Sequence, residues 1–391
     1  MKILIAADTY FPQVNGASYF AQRLAFNLQL HGHEVRVIAP SQSFANTDTI
    51  INSVRVYGIR SFPVLFYPKF RFCFSFFHSS KIQAIIEEFK PDIIHIQAHF
   101  YIGRNTIHAA FKTNTPIVAT NHFMPNNLIH YVPFHKTIGA PIIKAAWKDF
   151  AKVFNKVGQV TTPTKTAASL IQPYFQKNIQ VISCGINLAI FNPHNNGEYL
   201  KTKYALKALP TLLYVGRLDQ EKNVDMVLKA LAITLKNTSM QFVIAGSGAE
   251  KERLQQLASE LKISKNVIFT GFVPDEDLPN LYAIAHGFII AGTAELQSIV
   301  TMEAMATGLP VLAVNAVALP ELVKNNENGY LFEYGDVHAL AEKMTRMFSD
   351  EELRKAMSKK SLLFISEHTI EKSIAKFEAV YHAEIQKNNS K

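Results

Sequence analysis

The chain has 391 residues, of which 48% are hydrophobic and 18% charged, with a formal net charge of +9. That mixture is too apolar for a disordered chain and has none of the bias of a fibrous one, and the length suits two α/β domains better than a single core. Two cysteines, Cys73 and Cys184, are too few and too unpatterned for a disulfide framework or a zinc site, and both read as buried thiols.

In chain order, a first strand is expected at residues 3–6 (Ile-Leu-Ile-Ala), directly after Met1-Lys2 and with no apolar signal region before it. The turn Asp8-Thr-Tyr-Phe-Pro-Gln-Val-Asn-Gly16 leads into a helix near 17–30, where Gly16 allows close backbone approach to a ligand. Strands at 34–38, 54–57, 92–96, 117–120, 160–162 and 179–182 alternate with helical patterns, which reads as parallel βαβ units. Residues 62–77 mix many aromatics with Lys69 and Arg71, a composition that suits either core or insertion at an interface. Thr120-Asn-His122-Phe-Met-Pro125 follows a strand, placing His122 at its C-terminal end. Lys144, Lys148, Lys152 and Lys156 recur every four residues and form one stripe on a helix, beside Ile142, Ile143, Trp147, Phe150, Val153 and Phe154. Such a basic amphipathic helix suits an anionic bilayer surface, and equally an ordinary surface helix with its apolar face in the core.

A turn-rich polar segment, Asn192-Pro-His-Asn-Asn-Gly197, reads as a linker. Strands follow at 211–215, 241–245, 266–269, 287–290 and 311–314, and a last helical stretch runs from about 370 to 386. Charge divides unevenly: residues 1–197 hold 18 Lys and Arg against 7 Asp and Glu, a balance of +11, and the remainder holds 22 against 24, a balance of −2. No run reaches the roughly 18 apolar residues of a spanning helix, so a cytoplasmic protein is expected, peripheral on the inner membrane face if the basic half meets lipid. Positive charge also suits nucleic acid, but no recognition module is present and none is expected to bind.

Four loops in the second half carry polar chemistry at strand ends, where open α/β sheets take ligands. Gly216-Arg217-Leu-Asp-Gln-Glu-Lys222-Asn223 puts two cations after one strand, suited to a diphosphate. Ala245-Gly246-Ser247-Gly248 gives small residues after the next, and Gly271-Phe272-Val273 follows a third. Glu295-Leu-Gln-Ser-Ile-Val-Thr-Met-Glu303 sets two carboxylates across a strand-to-helix turn. The N–H groups of Ser298, Ile299 and Val300 there form a helix N-terminus that attracts an anion, while Glu295 and Glu303 can each accept from vicinal hydroxyls.

Glu303-Ala-Met-Ala-Thr-Gly-Leu-Pro310, followed by the strand Val311-Leu-Ala-Val, resembles the signature block of retaining nucleotide-sugar glycosyltransferases of family 4, and the likeness extends from end to end of the chain. The resemblance implies a GT-B fold, with two Rossmann-like parallel-sheet domains facing across a cleft. Residues 1–195 would bind the acceptor, 196–369 the nucleotide sugar, and 370–391 would form a helix crossing back to the first domain. It implies hexose transfer from a UDP- or GDP-linked donor with retention, by front-side attack in which the leaving phosphate takes the acceptor proton. The catalytic set would be His122, Arg217, Lys222 and Glu295. Donor binding would add Gly16, Gly246, Phe272, Val273, Gln297, Ser298, Ile299, Val300 and Glu303. Neither cofactor nor metal is implied, because cations take the metal's place.

The chain departs from the family pattern in several places. Ala291-Gly292 replaces Pro-Ser, Ser298 replaces Gly, and Cys184-Gly-Ile-Asn187 replaces Asn-Gly-Ile-Asp. Asn15-Gly16 and Glu295-x-Gln297 are variants of the family's glycolipid-forming members. They point to a lipid acceptor such as diacylglycerol or a phosphatidylinositol-type glycolipid, with a soluble or polymeric saccharide as the alternative. A catalytically inactive nucleotide-sugar binder and a sugar-nucleotide epimerase are more remote readings.

Overall fold

The structure is a computed structural model, and it describes residues 1–13, 15–64, 67–73, 79–122, 124 and 135–390. Phe123 and Pro125 beside His122, and residues 65–66 and 74–77 of the aromatic segment, lie outside the described residues.

The chain divides into two compact units, one of Met1–Cys184 with Glu371–Lys391 and one of Gly185–Ile370. The first is built on strands β1 (Lys2–Ala6), β2 (Glu34–Pro40), β3 (Thr47–Ile51), β4 (Val54–Ile59), β5 (Phe62–Val64), β6 (Tyr67–Phe72), β7 (Ile93–Ile96), β8 (Ile117–Thr120), β9 (Gln159–Thr162) and β10 (Ile179–Val181). Eight of them form one sheet in the order β10-β9-β8-β7-β1-β2-β4-β3, while β5 and β6 pair as a separate hairpin. Every neighbour in the large sheet is parallel except β3, which runs antiparallel on the edge. The central strands Ile3–Ala6, Ile93–Ile96 and Ile117–Thr120 are buried along their length, which is why they read as continuous apolar runs rather than alternating ones.

The second unit carries β11 (Thr211–Val215), β12 (Gln241–Ala245), β13 (Val267–Gly271), β14 (Gly287–Ile290), β15 (Val311–Val314) and β16 (Gly329–Phe332). They form an all-parallel sheet ordered β13-β12-β11-β14-β15-β16. The strand order reverses between β11 and β14, and in the first unit between β1 and β7. Such switch points open a crevice beyond the C-terminal strand ends, because the two connecting chains leave in opposite directions.

Three elements lacked a sequence signal. Edge strand β3 alternates Thr and Asp with exposed Ile50 and buries nothing. β16 opens on a glycine within an Asn-rich stretch. The β5–β6 hairpin interrupts the expected alternation of strand and helix.

The helix Ile370–Asn389 follows the second unit, and from Glu371 onward it belongs to the first unit. There Phe377 packs against Phe20 and His95. Tyr381 Oη lies 2.7 Å from His95 Nδ1, and Glu378 Oε1 lies 3.1 Å from His31 Nδ1 and 2.9 Å from His33 Nε2.

Candidate active site

In the second unit the chain leaves β11 through Gly216 and Arg217 and leaves β14 through Ala291 to Glu295, so the switch point brings those loops side by side. Lys222 Nζ donates to Glu295 Oε1 at 2.7 Å, closing the gap between the two loops. A second tie is Asn223, held in the left-handed region at φ 52°, whose Nδ2 donates to Ala291 O at 2.9 Å. Burial would pull the Lys222 ammonium down, but the charge and hydrogen bond of Glu295, with Glu221 nearby, outweigh it and raise the pKa above the ordinary lysine value.

Arg217 is gripped by acids of its own loop: one guanidinium nitrogen meets Asp219 and the other Glu221 Oε1 at 3.1 Å. Two cations therefore stand among three carboxylates, Asp219, Glu221 and Glu295. The sequence expectation of two open cations for a diphosphate is thus only half the picture, because the acids aim Arg217 and Lys222 and must share them with any phosphate. Tyr214 Oη donates to Arg217 O at 2.7 Å, and burial followed by the Glu295 charge keeps that phenol protonated.

The neighbouring loops are stitched backbone to backbone. Gly216 N–H donates to Ala245 O, Leu218 N–H to Ser247 O, and Gly246 N–H to Gly271 O, all within 2.8–3.0 Å. Gly246 has φ +148°, and a Cβ there would stand 1.8 Å from Gly216 O, so only glycine lets these loops approach. Beyond Gly271, Val273 is buried whereas Phe272 is 57% exposed, which frees its ring for contact.

Glu295 and Glu303 lie on either side of the start of helix Ile299–Ala306. Ser298 caps that helix, its Oγ accepting from Thr301 N–H at 3.4 Å and from Thr301 Oγ1 at 2.8 Å. Ile299 and Val300 occupy its first turn, half-buried, and Gln297 precedes it, buried. Glu303 is only 3% exposed, and its Oε2 accepts from Tyr282 Oη at 3.1 Å. Tyr282, Asp219, Glu221 and Asn223 were missed as site residues. The last three lie inside the motif that named Arg217 and Lys222, while Tyr282 is 21 positions from its partner with no local signal.

In the first unit, Gly16 is exposed and opens helix Gly16–Leu30, which Asn15 caps by accepting from Ser18 N–H at 2.9 Å. His122, after β8, is half-buried. Its Nε2 lies 3.0 Å from Gln97 Oε1, and its ring centroid is 4.6 Å from that of Phe20. Burial lowers the His122 pKa to about 4, so the imidazole is neutral at pH 7. Deeper in, His95 Nε2 lies 2.7 Å from Thr120 Oγ1, and burial takes His95 to about 3.

The lysine stripe lies on helix His135–Phe154, with Lys156 just past its end, and Lys144, Lys148, Lys152 and Lys156 are all exposed. On the apolar side Phe150, Val153 and Phe154 are buried in the unit's core, while Ile142 is exposed. Among the described residues, no group of three or more His, Cys, Asp or Glu is arranged to hold a metal ion, and no helix is long and apolar enough to cross a membrane.

Two family models match the chain, "Glycosyltransferase Family 4" over residues 14–190 and "Glycosyl transferases group 1" over 198–362. The chain is 31% identical over 351 residues to the alpha-monoglucosyldiacylglycerol synthase of Streptococcus pneumoniae, covering 87% of this chain and 77% of that one. It is 26% identical over 369 residues to a GDP-mannose-dependent alpha-mannosyltransferase of Mycobacterium tuberculosis, covering 93% and 92%. Its fold is similar to that of Anabaena HepE, solved in complex with UDP-glucose, with a TM-score of 0.74 at 18% identity, covering 100% of this chain and 99% of that one. The two α/β units are those of the GT-B fold, and the chain belongs to glycosyltransferase family 4.

Proposed function

We propose that the protein moves a hexose from a UDP- or GDP-linked donor to a membrane glycerolipid, diacylglycerol or a phosphatidylinositol-type glycolipid, with retention at the anomeric carbon. The observation that carries this reading is the Lys222–Glu295 pair at the switch point, beside the capped helix start at Ser298. The names of the relatives support a diacylglycerol acceptor and a GDP-linked donor.

In this reading the diphosphate lies against the N–H groups of Ser298, Ile299 and Val300 and draws on Arg217 and Lys222. As the sugar–phosphate bond breaks, negative charge grows on the leaving oxygen, and cations already aimed there lower the barrier because they need no rearrangement. The acceptor oxygen attacks the same face of the sugar, and its proton passes to the departing phosphate. Glu303 accepts from ribose hydroxyls, Gly246, Phe272, Val273 and Gln297 line the nucleotide, and Glu295 and His122 receive hydroxyls of the hexose. No metal is needed, so transfer should survive EDTA. The exposed lysines Lys144, Lys148, Lys152 and Lys156 supply attraction to anionic lipid, as a peripheral protein on the inner face of the cytoplasmic membrane.

The test is mass spectrometry of products after incubation with UDP- and GDP-hexoses and anionic liposomes containing diacylglycerol and phosphatidylinositol. A lipid one hexose heavier, from one donor, is the expected outcome. Nucleoside diphosphate released with no modified lipid would move the acceptor to a saccharide, and no release from any donor would leave a nucleotide-sugar binder.

A further inference from the structure

One buried amide in the first unit is only half used. Gln97 follows β7, its backbone N–H donates to Ala6 O at 2.9 Å, and the residue is 2% exposed. Its Oε1 faces His122 Nε2 at 3.0 Å, while its Nε2 is buried with no partner among the described residues. Buried polar groups are nearly always paired, so an amide nitrogen left unmatched beside a ring nitrogen calls for a function.

We infer that Gln97 is a positioning residue for His122, fixing the imidazole in the Nε2–H tautomer so that Nδ1 is an acceptor for a hydroxyl of the transferred hexose. The inference rests on the proposed placement of His122 at the donor sugar. A carbonyl oxygen carries no proton, so the hydrogen of the Gln97–His122 bond must come from the ring. Phe20 against one ring face limits rotation, and with Nε2 committed the second nitrogen presents a lone pair. Because burial keeps the ring neutral, it orients a hydroxyl without removing its proton. That division of labour suits a reaction in which the leaving phosphate is the base.

The wild-type enzyme provides the first test. Long-range ¹⁵N–¹H spectra of histidine-labelled protein, with His122→Ala used to assign the signal, should show His122 protonated at Nε2. Protonation at Nδ1 overturns the inference. Gln97→Leu should mix the two tautomers and lower kcat roughly 10- to 100-fold while donor KM moves less than about threefold. In Gln97→Glu, a carboxylate favours the charged ring, turning Nδ1 into a donor, and kcat should fall again with the fold intact by circular dichroism. If His122→Ala cripples transfer while Gln97→Leu retains both kcat and a single tautomer, the Gln97 role is wrong and the proposed function stands. If His122→Ala transfers hexose at the normal rate, the placement of His122 at the sugar is wrong, and the link from Gln97 to the hexose falls with it.

Discussion

At the scale of single residues, the cations and carboxylates of the second unit separate binding from catalysis. If Arg217, held by Asp219 and Glu221, stabilises the leaving diphosphate as proposed, Arg217→Ala should drop kcat about 100- to 1000-fold with a smaller change in donor KM. If Glu303 binds the ribose as proposed, Glu303→Ala, which also removes a partner of Tyr282, should weaken donor affinity about 10- to 100-fold. Steady-state kinetics on both variants checks the split, and near-normal values in both would sink the site. Gly246→Ala should cost several kcal/mol in a urea titration or shut down donor binding, since its Cβ would collide with Gly216 O at 1.8 Å. The two glutamates and two cations were legible because their motif is local. Which acid each cation would meet was not legible, because sequence shows residue types and not the ion pairs that fold back within a loop. Tyr282 and Gln97 were invisible for a different reason: their partners, Glu303 and His122, lie 21 and 25 positions away on other elements.

At the scale of elements, the lysine stripe shows what periodicity alone decides. The four-residue spacing gave the helix and the exposed cations, but an amphipathic pattern does not say what covers the apolar side: here the unit's own core takes Phe150, Val153 and Phe154, while Ile142 stays exposed. The electrostatic part of any lipid contact by this helix should decay with salt over the Debye range. Changing Lys144, Lys148 and Lys152 together to Glu should abolish sedimentation with anionic liposomes while shifting the unfolding free energy by less than about 1 kcal/mol. Unchanged sedimentation would mean that another surface meets the membrane. The parallel strands were legible because burial on both faces makes them unbroken apolar runs. The edge strand β3 was not, since it buries no repeating face that a pattern can report.

At the scale of the whole molecule, the first unit keeps three histidines neutral by burial: His95 at about 3, and His99 and His122 at about 4. A lowered folded pKa means that the unfolded chain takes up protons first. The stability that each contributes is complete above about 6.5 and is lost as pH falls toward the folded value, at about 1.4 kcal/mol per pH unit per histidine. Asp8 works the other way: burial raises it to about 6, so it gains stability on acidification from there toward 3.8. Three against one leaves a net loss, and urea unfolding of the first unit should weaken steadily from pH 6.5 to 4.5. A flat profile would show that these rings are not buried neutral. The division into two α/β units was legible from strand count and length, but the return of the last helix rested on resemblance, because its partners Phe20, His95 and His33 lie hundreds of positions earlier. That return has a consequence for biosynthesis. The entire second unit interrupts the first in the order of translation, so residues 371–391 emerge only after all of it. At about 5–20 residues per second, the nascent first sheet waits roughly 10 to 40 s with the surfaces of Phe20 and His95 uncovered. During that interval the second unit can finish folding while the first still lacks its closing helix.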